Sequence, residues 1–269
     1  EMIVMATADG YIKRLPPDTF KTQGRGGKGI IGLTTKEEDI VEHFFTTSTH
    51  ADLLFFTTKG RVFQLKGYDL PQASRTAKGQ ALVNFLQLAP NEKVSSILPS
   101  TEIENDKYLV MVTSQGTIKK TAIEDFANVR RSGLIALKLK GNDNLEWVKP
   151  SKGVENVVLV TGNGQAIRFE EKNIRPMGRS ASGVRGIKLK GNDRIVGMGI
   201  LDPKENKDAK LLVIMEKGFG KQTSISAYKV QGRGGSGIKT AKITSKTGKI
   251  VSGMIISDQN EDLIIISSK

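Results

Sequence analysis

A strand-turn-strand pattern that returns five times is the feature of this sequence that most limits how it can fold. Each copy has an apolar, β-branched run, a turn residue followed by glycine, and a shorter alternating strand, as in "IVMATADGYIKR" at 3–14. Pairs such as Asp-Gly favour two-residue β-hairpins, because both turn positions need positive φ. The turn glycines, at intervals of 48 to 56 residues, are Gly10, Gly60, Gly116, Gly164 and Gly218.

A second pattern, here called the box loop, follows each hairpin as a polar, basic segment that ends on glycine. The five box loops lie at 23–29, 74–79, 129–133, 178–183 and 231–237. The first and last, "QGRGGKG" and "QGRGGSG", are nearly identical although 208 residues separate them. The segment "KLKGND" also occurs twice, at 138–143 and 188–193. The two patterns together define a repeat of about 50 residues.

Repeats of this length, rich in strands and without a long helical period, predict an all-β fold of the propeller kind, a β-pinwheel of four-stranded blades. Such a ring buries each sheet against its neighbours and leaves only short edges. We predict one domain at 1–269, with repeats at 1–50, 51–105, 106–154, 155–208 and 209–260. Because 261–269 open a further repeat, about six blades are expected, the sixth incomplete. The sequence begins directly in a strand, so we expect it to be part of a longer protein.

The charge of the chain predicts a polyanionic partner. Lysine and arginine number 41 against 28 acidic residues, which gives a net charge of +13 and an isoelectric point near 9.8. Such an excess favours nucleic acid as the partner. Cysteine is absent, which excludes disulfides, thiolate catalysis and cysteine-ligated zinc. No apolar run approaches the roughly 20 residues that cross a bilayer, so we expect a cytoplasmic protein with no membrane partner.

The box loops have the composition of a phosphate-binding backbone. Few bulky side chains stand between the backbone N–H groups and an anion, and arginine can bind phosphate through two hydrogen bonds. Contacts of this kind position nucleic acid without reading its sequence. A Walker P-loop is excluded, because Thr22 and Gly29 stand where that motif needs glycine and Ser or Thr. In the alternative interpretation, the glycines merely allow a tight crossing between blades.

Two sets of residues are therefore candidates for DNA contact. The box-loop set consists of Gln23, Gly24, Arg25, Gly26, Gly27, Lys28, Gly29, Arg75, Lys78, Arg130, Arg131, Arg179, Arg185 and Arg233. The hairpin set, just past the turn glycines, consists of Lys13, Arg14, Arg61, Lys119, Lys120, Arg168 and Lys221. In a ring of blades each set would form a belt of positive charge that could bend a duplex. The hairpin set could instead be the solvated ends of exposed strands.

The sequence contains no recognisable catalytic or metal site. Its four tyrosines, Tyr11, Tyr68, Tyr108 and Tyr228, lie in or beside repeated β elements and are expected to pack there. His43 and His50 have no cysteine or paired histidine nearby in sequence, which makes a metal site poor. We therefore predict no catalytic, cofactor-binding or metal-binding residues.

Four segments resemble, in order and spacing, the C-terminal domain of the bacterial DNA gyrase A subunit. They are the box loop at 23–29, "YDLPQASRTAKG" at 68–79, "FANVRRSGLIAL" at 126–137 and "IRPMGRSASGVRGI" at 174–187. The resemblance implies strands exchanged between neighbouring blades and a basic rim that binds, bends and wraps duplex DNA. It also implies that this wrapping lets an ATP-dependent type II topoisomerase introduce negative supercoils, with 23–29 as the wrapping determinant.

The same resemblance implies the partners. They are double-stranded DNA and the rest of the gyrase A subunit, together with the gyrase B subunit in an A2B2 assembly. It implies no cofactor and a nucleoid-associated location. The sequence departs from the family at Gly24, where the box is usually basic. The homologous domain of the topoisomerase IV A subunit, with weak wrapping, and a basic protein-interaction propeller remain as alternatives.

Overall fold

The computed structural model describes residues 1–19 and 39–257. Apolar, β-branched runs form its strands, and the hairpin glycines adopt the positive φ that their turns need, for example +82° at Gly10. In chain order the strands are β1 (Met2–Thr7), β2 (Tyr11–Leu15), β3 (Val41–Thr47), β4 (Asp52–Thr57), β5 (Arg61–Lys66), β6 (Gln80–Ala81), β7 (Val94–Pro99), β8 (Tyr108–Thr113), β9 (Thr117–Ala122), β10 (Leu134–Ile135), β11 (Leu145–Ser151), β12 (Asn156–Thr161), β13 (Gln165–Glu170), β14 (Val184–Arg185), β15 (Ile195–Leu201), β16 (Lys210–Met215), β17 (Gly220–Ser224), β18 (Ile238–Lys239) and β19 (Ile250–Ile256).

Helical structure in the described ranges is confined to short segments. The α-helix α1 (Ser100–Ile103) has four residues. Short 3-10 turns occur at Pro17–Thr19, Gly67–Asp69, Leu82–Asn84, Ile123–Phe126, Glu171–Asn173 and Ile225–Ala227. The all-β prediction is therefore confirmed.

Five antiparallel sheets, here called blades 1 to 5, make up the described part of the chain. Their strand orders are β3-β1-β2-β6, β10-β5-β4-β7, β11-β8-β9-β14, β15-β12-β13-β18 and β17-β16-β19. The expected count of about six four-stranded blades is wrong, because four blades have four strands and the fifth has three. The residues counted toward a sixth, 261–269, contribute one apolar run, whereas a blade needs at least a hairpin and a third strand. They lie outside the described residues.

The fourth strand of each complete blade comes from the following repeat. The two-residue strand β14, for example, pairs with Ile118 and Thr117 of β9, although it belongs to the repeat that builds blade 4. The strands β6, β10 and β18 complete blades 1, 2 and 4 in the same way. Each of these short strands follows a box loop, so the exchange carries the box loop to the outer edge of the preceding blade.

The core consists of apolar layers between neighbouring blades. In β8, Leu109 and Met111 pack with Leu54 and Phe56 of blade 2. The alternate residues of β8, Val110 and Val112, pack instead with Val157 and Leu159 of blade 4. Since successive side chains of a strand point to opposite faces, a strand between two blades must be apolar at every position. This explains the uninterrupted run "YLVMV" in the sequence.

The repeated "KLKGND" segment has a structural role in the hairpins. The Oδ1 atom of Asp143 accepts hydrogen bonds from Ser114 Oγ and the Gln115 amide at 3.0 Å each. Asp193 accepts the Asn163 amide in the same way at 2.9 Å. An aspartate at this position therefore holds the hairpin turn of its own blade, which accounts for the two near-identical copies.

Candidate nucleic-acid interface

Each described box loop that carries a short strand lies at the outer edge of a blade, and its last glycine is required there. Gly79 and Gly183 have φ of +87° and +83°. A Cβ atom would lie 2.4 Å from the carbonyl oxygen of Ile12 at Gly79, and 2.6 Å from that of Ile118 at Gly183. Side chains other than glycine are thus excluded by conformation and by space. For these two residues, the structure supports the interpretation that glycine allows a tight crossing between blades.

Two lysines of the hairpin set are buried under box loops. The Nζ atom of Lys13 donates to the carbonyl oxygens of Ser74, Arg75 and Ala77 at 3.2, 2.6 and 2.7 Å. Burial lowers the pKa of Lys13 to about 8. The ammonium thus remains the main form at pH 7, but it faces the loop backbone and not the solvent.

Lys119 of blade 3 is held in the same way and is fully buried. Its Nζ atom donates to the carbonyl oxygens of Gly178, Arg179 and Ala181 at 2.9, 2.6 and 3.3 Å, and to that of Ala136 at 2.7 Å. Burial lowers its pKa to about 8, with Arg179 acting in the same direction and Asp125 opposing it. The predicted direct contact of Lys13 and Lys119 with DNA does not fit these positions, because a side chain sealed inside the protein cannot reach a phosphate.

Lys120 is also buried and needs the same correction. Its Nζ lies 3.3 Å from Oε1 of Glu171 and 4.8 Å from the centre of the Tyr108 ring. Because β9 lies between two blades, both faces of the strand are covered, and successive lysines are buried on opposite sides. Lys120 therefore pairs with the buried carboxyl of Glu171 between blades 3 and 4.

The arginines of the hairpin set are half-buried and brace the blades. Arg14 donates from Nε to the carbonyl oxygen of Leu70 at 2.9 Å. Arg168 donates from Nε to Oδ1 of Asn156 at 2.8 Å, and from Nη1 to the carbonyl oxygen of Ile225 at 3.0 Å. Arg61 donates from Nε to Oε1 of the buried Glu92 at 2.9 Å. These bonds use part of each guanidinium, so at most the remaining N–H groups face a ligand.

The remaining described candidates lie on the outer edges of the blades. Arg130, Arg131, Arg185 and Lys221 are exposed, and Arg75, Lys78, Arg179 and Arg233 are half-exposed. Lys78 Nζ lies 3.6 Å from the centre of the Tyr11 ring. Arg233 donates to the carbonyl oxygens of Asn173 and Arg185 at 3.2 and 2.5 Å. The first box loop lies outside the described residues, with its candidates Gln23, Gly24, Arg25, Gly26, Gly27, Lys28 and Gly29.

Sequence reasoning missed a group of exposed lysines that follow the short outer strands. They are Lys138, Lys140, Lys188, Lys190, Lys239 and Lys242. Lys140, Arg185 and Lys188 line one groove of about 540 Å³ between blades 3 and 4. The signal was present in the sequence, because the repeated "KLKGND" places its lysines at the same position in two repeats.

Carboxylates also line the space between the inner strands of the blades, in an arrangement the sequence does not reveal. A cavity of about 790 Å³ there is lined in part by Glu42, Glu102 and Glu146. Burial raises the pKa of all three carboxyls. Burial also lowers the pKa of His43, which lines the same cavity, to about 4. Within 1–19 and 39–257, no three such side chains are grouped as a metal site would require.

A comparison with protein families matches five segments of the chain. The family is described as "DNA gyrase C-terminal domain, beta-propeller", and the matched residues are 1–48, 51–101, 107–152, 155–202 and 209–257. The helices of the described residues are all too short or too polar to cross a membrane.

Curated relatives agree with the family match. The chain is 47% identical over 264 residues to the DNA gyrase A subunit of Clostridium acetobutylicum, covering 98% of this chain and 31% of the relative. It is 40% identical over 269 residues to that of Staphylococcus epidermidis, covering 100% of this chain and 30% of the relative. The chain thus spans just under a third of the length of these relatives.

Solved structures show the same architecture. A DNA topoisomerase IV C-terminal domain superposes with a TM-score of 0.77 at 26% identity, covering 96% of this chain and 78% of that structure. A DNA gyrase A C-terminal domain superposes with a TM-score of 0.76 at 28% identity, covering 96% and 83%. With five matched segments that together include most of its residues, the chain belongs to the DNA gyrase C-terminal domain family.

Proposed function

We propose that this chain binds duplex DNA without sequence preference, bends it and wraps it around the outer edges of its blades. It acts as the DNA-wrapping part of an ATP-dependent type II topoisomerase, DNA gyrase, and carries no catalytic site of its own. The wrap lets the enzyme introduce negative supercoils. The partners are the rest of the gyrase A subunit, together with the gyrase B subunit in an A2B2 assembly, in the cytoplasm at the nucleoid.

One observation carries the proposal: exposed cations recur on the outermost elements of successive blades. Arg185 on the outer strand of blade 3 corresponds to Lys239 on that of blade 4, and Lys188 corresponds to Lys242. Bending 20–30 base pairs by 40–90° costs on the order of 1–6 kcal/mol, so several blades must contribute phosphate contacts. Contacts of this kind are independent of sequence and weaken steeply with salt.

Closing nicked circular DNA with ligase in the presence of the chain tests the proposal. Wrapping is expected to shift the linking number of the closed circles, because the bound writhe is trapped on ligation. Replacing Arg185 and Lys188 together by alanine should reduce the shift, since both line the groove between blades 3 and 4. A control double change to alanine of the exposed Lys172 and its ion-pair partner Glu170, which keeps the net charge, should leave the shift unchanged. An unshifted linking number at saturating protein would contradict wrapping.

A second candidate is the topoisomerase IV type of domain, which recognises DNA geometry and wraps weakly. The superposition with a topoisomerase IV C-terminal domain and the glycine at position 24 favour it. The same ligation assay separates the two, because this second function predicts salt-dependent binding with little change in linking number. A basic propeller that docks an acidic protein predicts neither salt-dependent duplex binding nor a change in linking number.

A further inference from the structure

We infer that Lys13 and Lys119 make the box loops 74–79 and 178–183 into phosphate-binding turns, each lysine acting from the blade before the loop. The inference rests on the proposed DNA function and assigns to two buried lysines a positioning role in it. The ligand is a backbone phosphate of the duplex.

The two lysine sites are equivalent in detail. Lys13 and Lys119 each lie three residues after the hairpin glycine of their blade. Each donates to the loop carbonyls that stand five, four and two residues before the final glycine of the next box loop. In both loops the residue four before that glycine is arginine, Arg75 or Arg179. The same hydrogen bonds form in two separate pairs of repeats, which indicates that this arrangement of lysine and loop has a defined role.

These bonds orient the loop peptides. In a trans peptide the N–H bond points opposite to the C=O bond, and none of the described peptides is cis. Because the carbonyls of Arg75 and Ala77 point inward at Lys13, the N–H groups of Thr76 and Lys78 point away from it. The N–H groups of Ser180 and Ser182 are directed away from Lys119 for the same reason. Two N–H groups that point away from the lysine, beside an arginine, can donate together to one anion.

The other two described box loops show that the fold can form a box loop without a lysine beneath it. Phe63 occupies its position in blade 2, where a Cβ added to Gly133 would lie 2.8 Å from the ring. Ile167 occupies it in blade 4, beneath Gly235. In the loop over Ile167, Arg233 is tied to the carbonyls of Asn173 and Arg185. Among the four described box loops, the two without a lysine thus rest on an apolar side chain, and only the two held by Lys13 and Lys119 have carbonyls that accept hydrogen bonds from an ammonium.

Double-mutant cycles on duplex binding test the inference. Lys119→Met should weaken duplex binding about as much as Arg179→Ala. The double variant should bind duplex as tightly as either single variant, because both changes remove the same phosphate contact. Lys119→Met combined with Arg75→Ala, in the other loop, should be additive. Lys119→Met should also lower the salt slope of binding by about one, the change expected when one phosphate contact is lost. The exposed Lys172→Met, which removes the same charge, is the control and should leave the slope unchanged.

Hydrogen exchange without DNA separates loop positioning from global stability. The Ala181 amide, which donates to the Gly178 carbonyl at 3.1 Å, should exchange faster in Lys119→Met, while the Ala77 amide should not. Should Lys119→Met fail to fold, Lys13→Met with Arg75→Ala makes the same test at the equivalent site.

The possible failures are distinguishable. If the unmodified chain binds duplex with a normal salt slope but the within-loop and between-loop cycles give equal coupling, the inference is overturned and the proposed function stands. If the unmodified chain shows no salt-dependent duplex binding, both are overturned together. An unchanged Ala181 exchange rate in a folded Lys119→Met variant would likewise reject the positioning role.

Discussion

Blades 3 and 5 place lysine at the same position, but only blade 3 buries it. Lys119 and Lys221 each lie three residues after the hairpin glycine, and each donates to a carbonyl of its own repeat, Ala136 at 2.7 Å and Thr240 at 2.9 Å. The box loop 178–183 covers Lys119, whereas Lys221 is exposed, with no following loop over it in the described ranges. Whether a lysine on the second hairpin strand of a blade, β9 or β17, is buried is therefore decided by the box loop of the next repeat.

The largest change in the free energy of unfolding is expected at a core position where blades 3 and 5 differ. Ile118 of blade 3 is fully buried, and the residue at its position in blade 5 is Gly220. Ile118→Ala should lower the free energy of unfolding by about 2–5 kcal/mol, because it leaves a cavity. Gly220→Ala should raise it by about 0.5–1 kcal/mol, because alanine costs less backbone entropy in a strand. Urea unfolding of both variants measures the difference.

A matching loss in both blades would mean that β17 is as closely packed as β9, and the comparison would fail. The Cβ at Gly220 meets Ile214 Cδ1 at 3.3 Å, at the tip of a flexible side chain that can move aside. The expected opposite signs therefore do not depend on a rearranged backbone.

A smaller effect should follow from the glycines that shape the turns. Gly183 and Gly218 both have positive φ, +83° and +78°. Gly218→Ala should cost about 1–2 kcal/mol, the penalty of a left-handed conformation, since nothing lies within 4 Å of its Cβ. Gly183→Ala should cost more, because its Cβ also meets the Ile118 carbonyl oxygen at 2.6 Å. Equal melting temperatures for the two variants would show that the loop is free to move off blade 3.

The smallest effect concerns the pH dependence of stability. Blade 3 buries Lys120 against Glu171, and blade 5 has Gln222 at the position of Lys120. Burial raises the pKa of Glu171 and Glu155 acts with it, while Ser151 and Lys120 oppose the shift. The folded state thus holds the Glu171 proton more tightly than the unfolded state, whose pKa is about 4.3. Its contribution to stability is full below that pH and is lost as the pH rises to the folded pKa.

Glu171→Gln should therefore remove this loss, because glutamine does not titrate. The unfolding free energy of the unmodified chain, relative to that of the variant, is expected to fall as the pH rises from about 4 toward neutrality. Urea titrations across that range measure it. Parallel curves for Glu171→Gln would show that the carboxyl ionises normally in the folded protein.

The sequence was sufficient to predict the hairpins, the all-β class and the period of the repeat. Short-range patterns carry that information, since turn glycines and alternating strands depend on neighbours a few residues away. The predicted blade count was wrong because an apolar run in the sequence predicts a strand whether or not the other strands of its blade follow. Lys119 and Lys120 were expected at the surface for a related reason: an alternating strand suggests one outward face, and β9 has none.

By itself, the sequence determined which residues form strands and turns, and that each repeat presents lysines and arginines beside its hairpin and its box loop. The tertiary structure decided which of those cations meet solvent. Exchange of the outer strand lays one repeat over the blade before it, so Lys119 is enclosed by carbonyls from residues 59 to 62 positions further along the chain. Contacts over such separations depend on how whole repeats dock, and no local pattern encodes them.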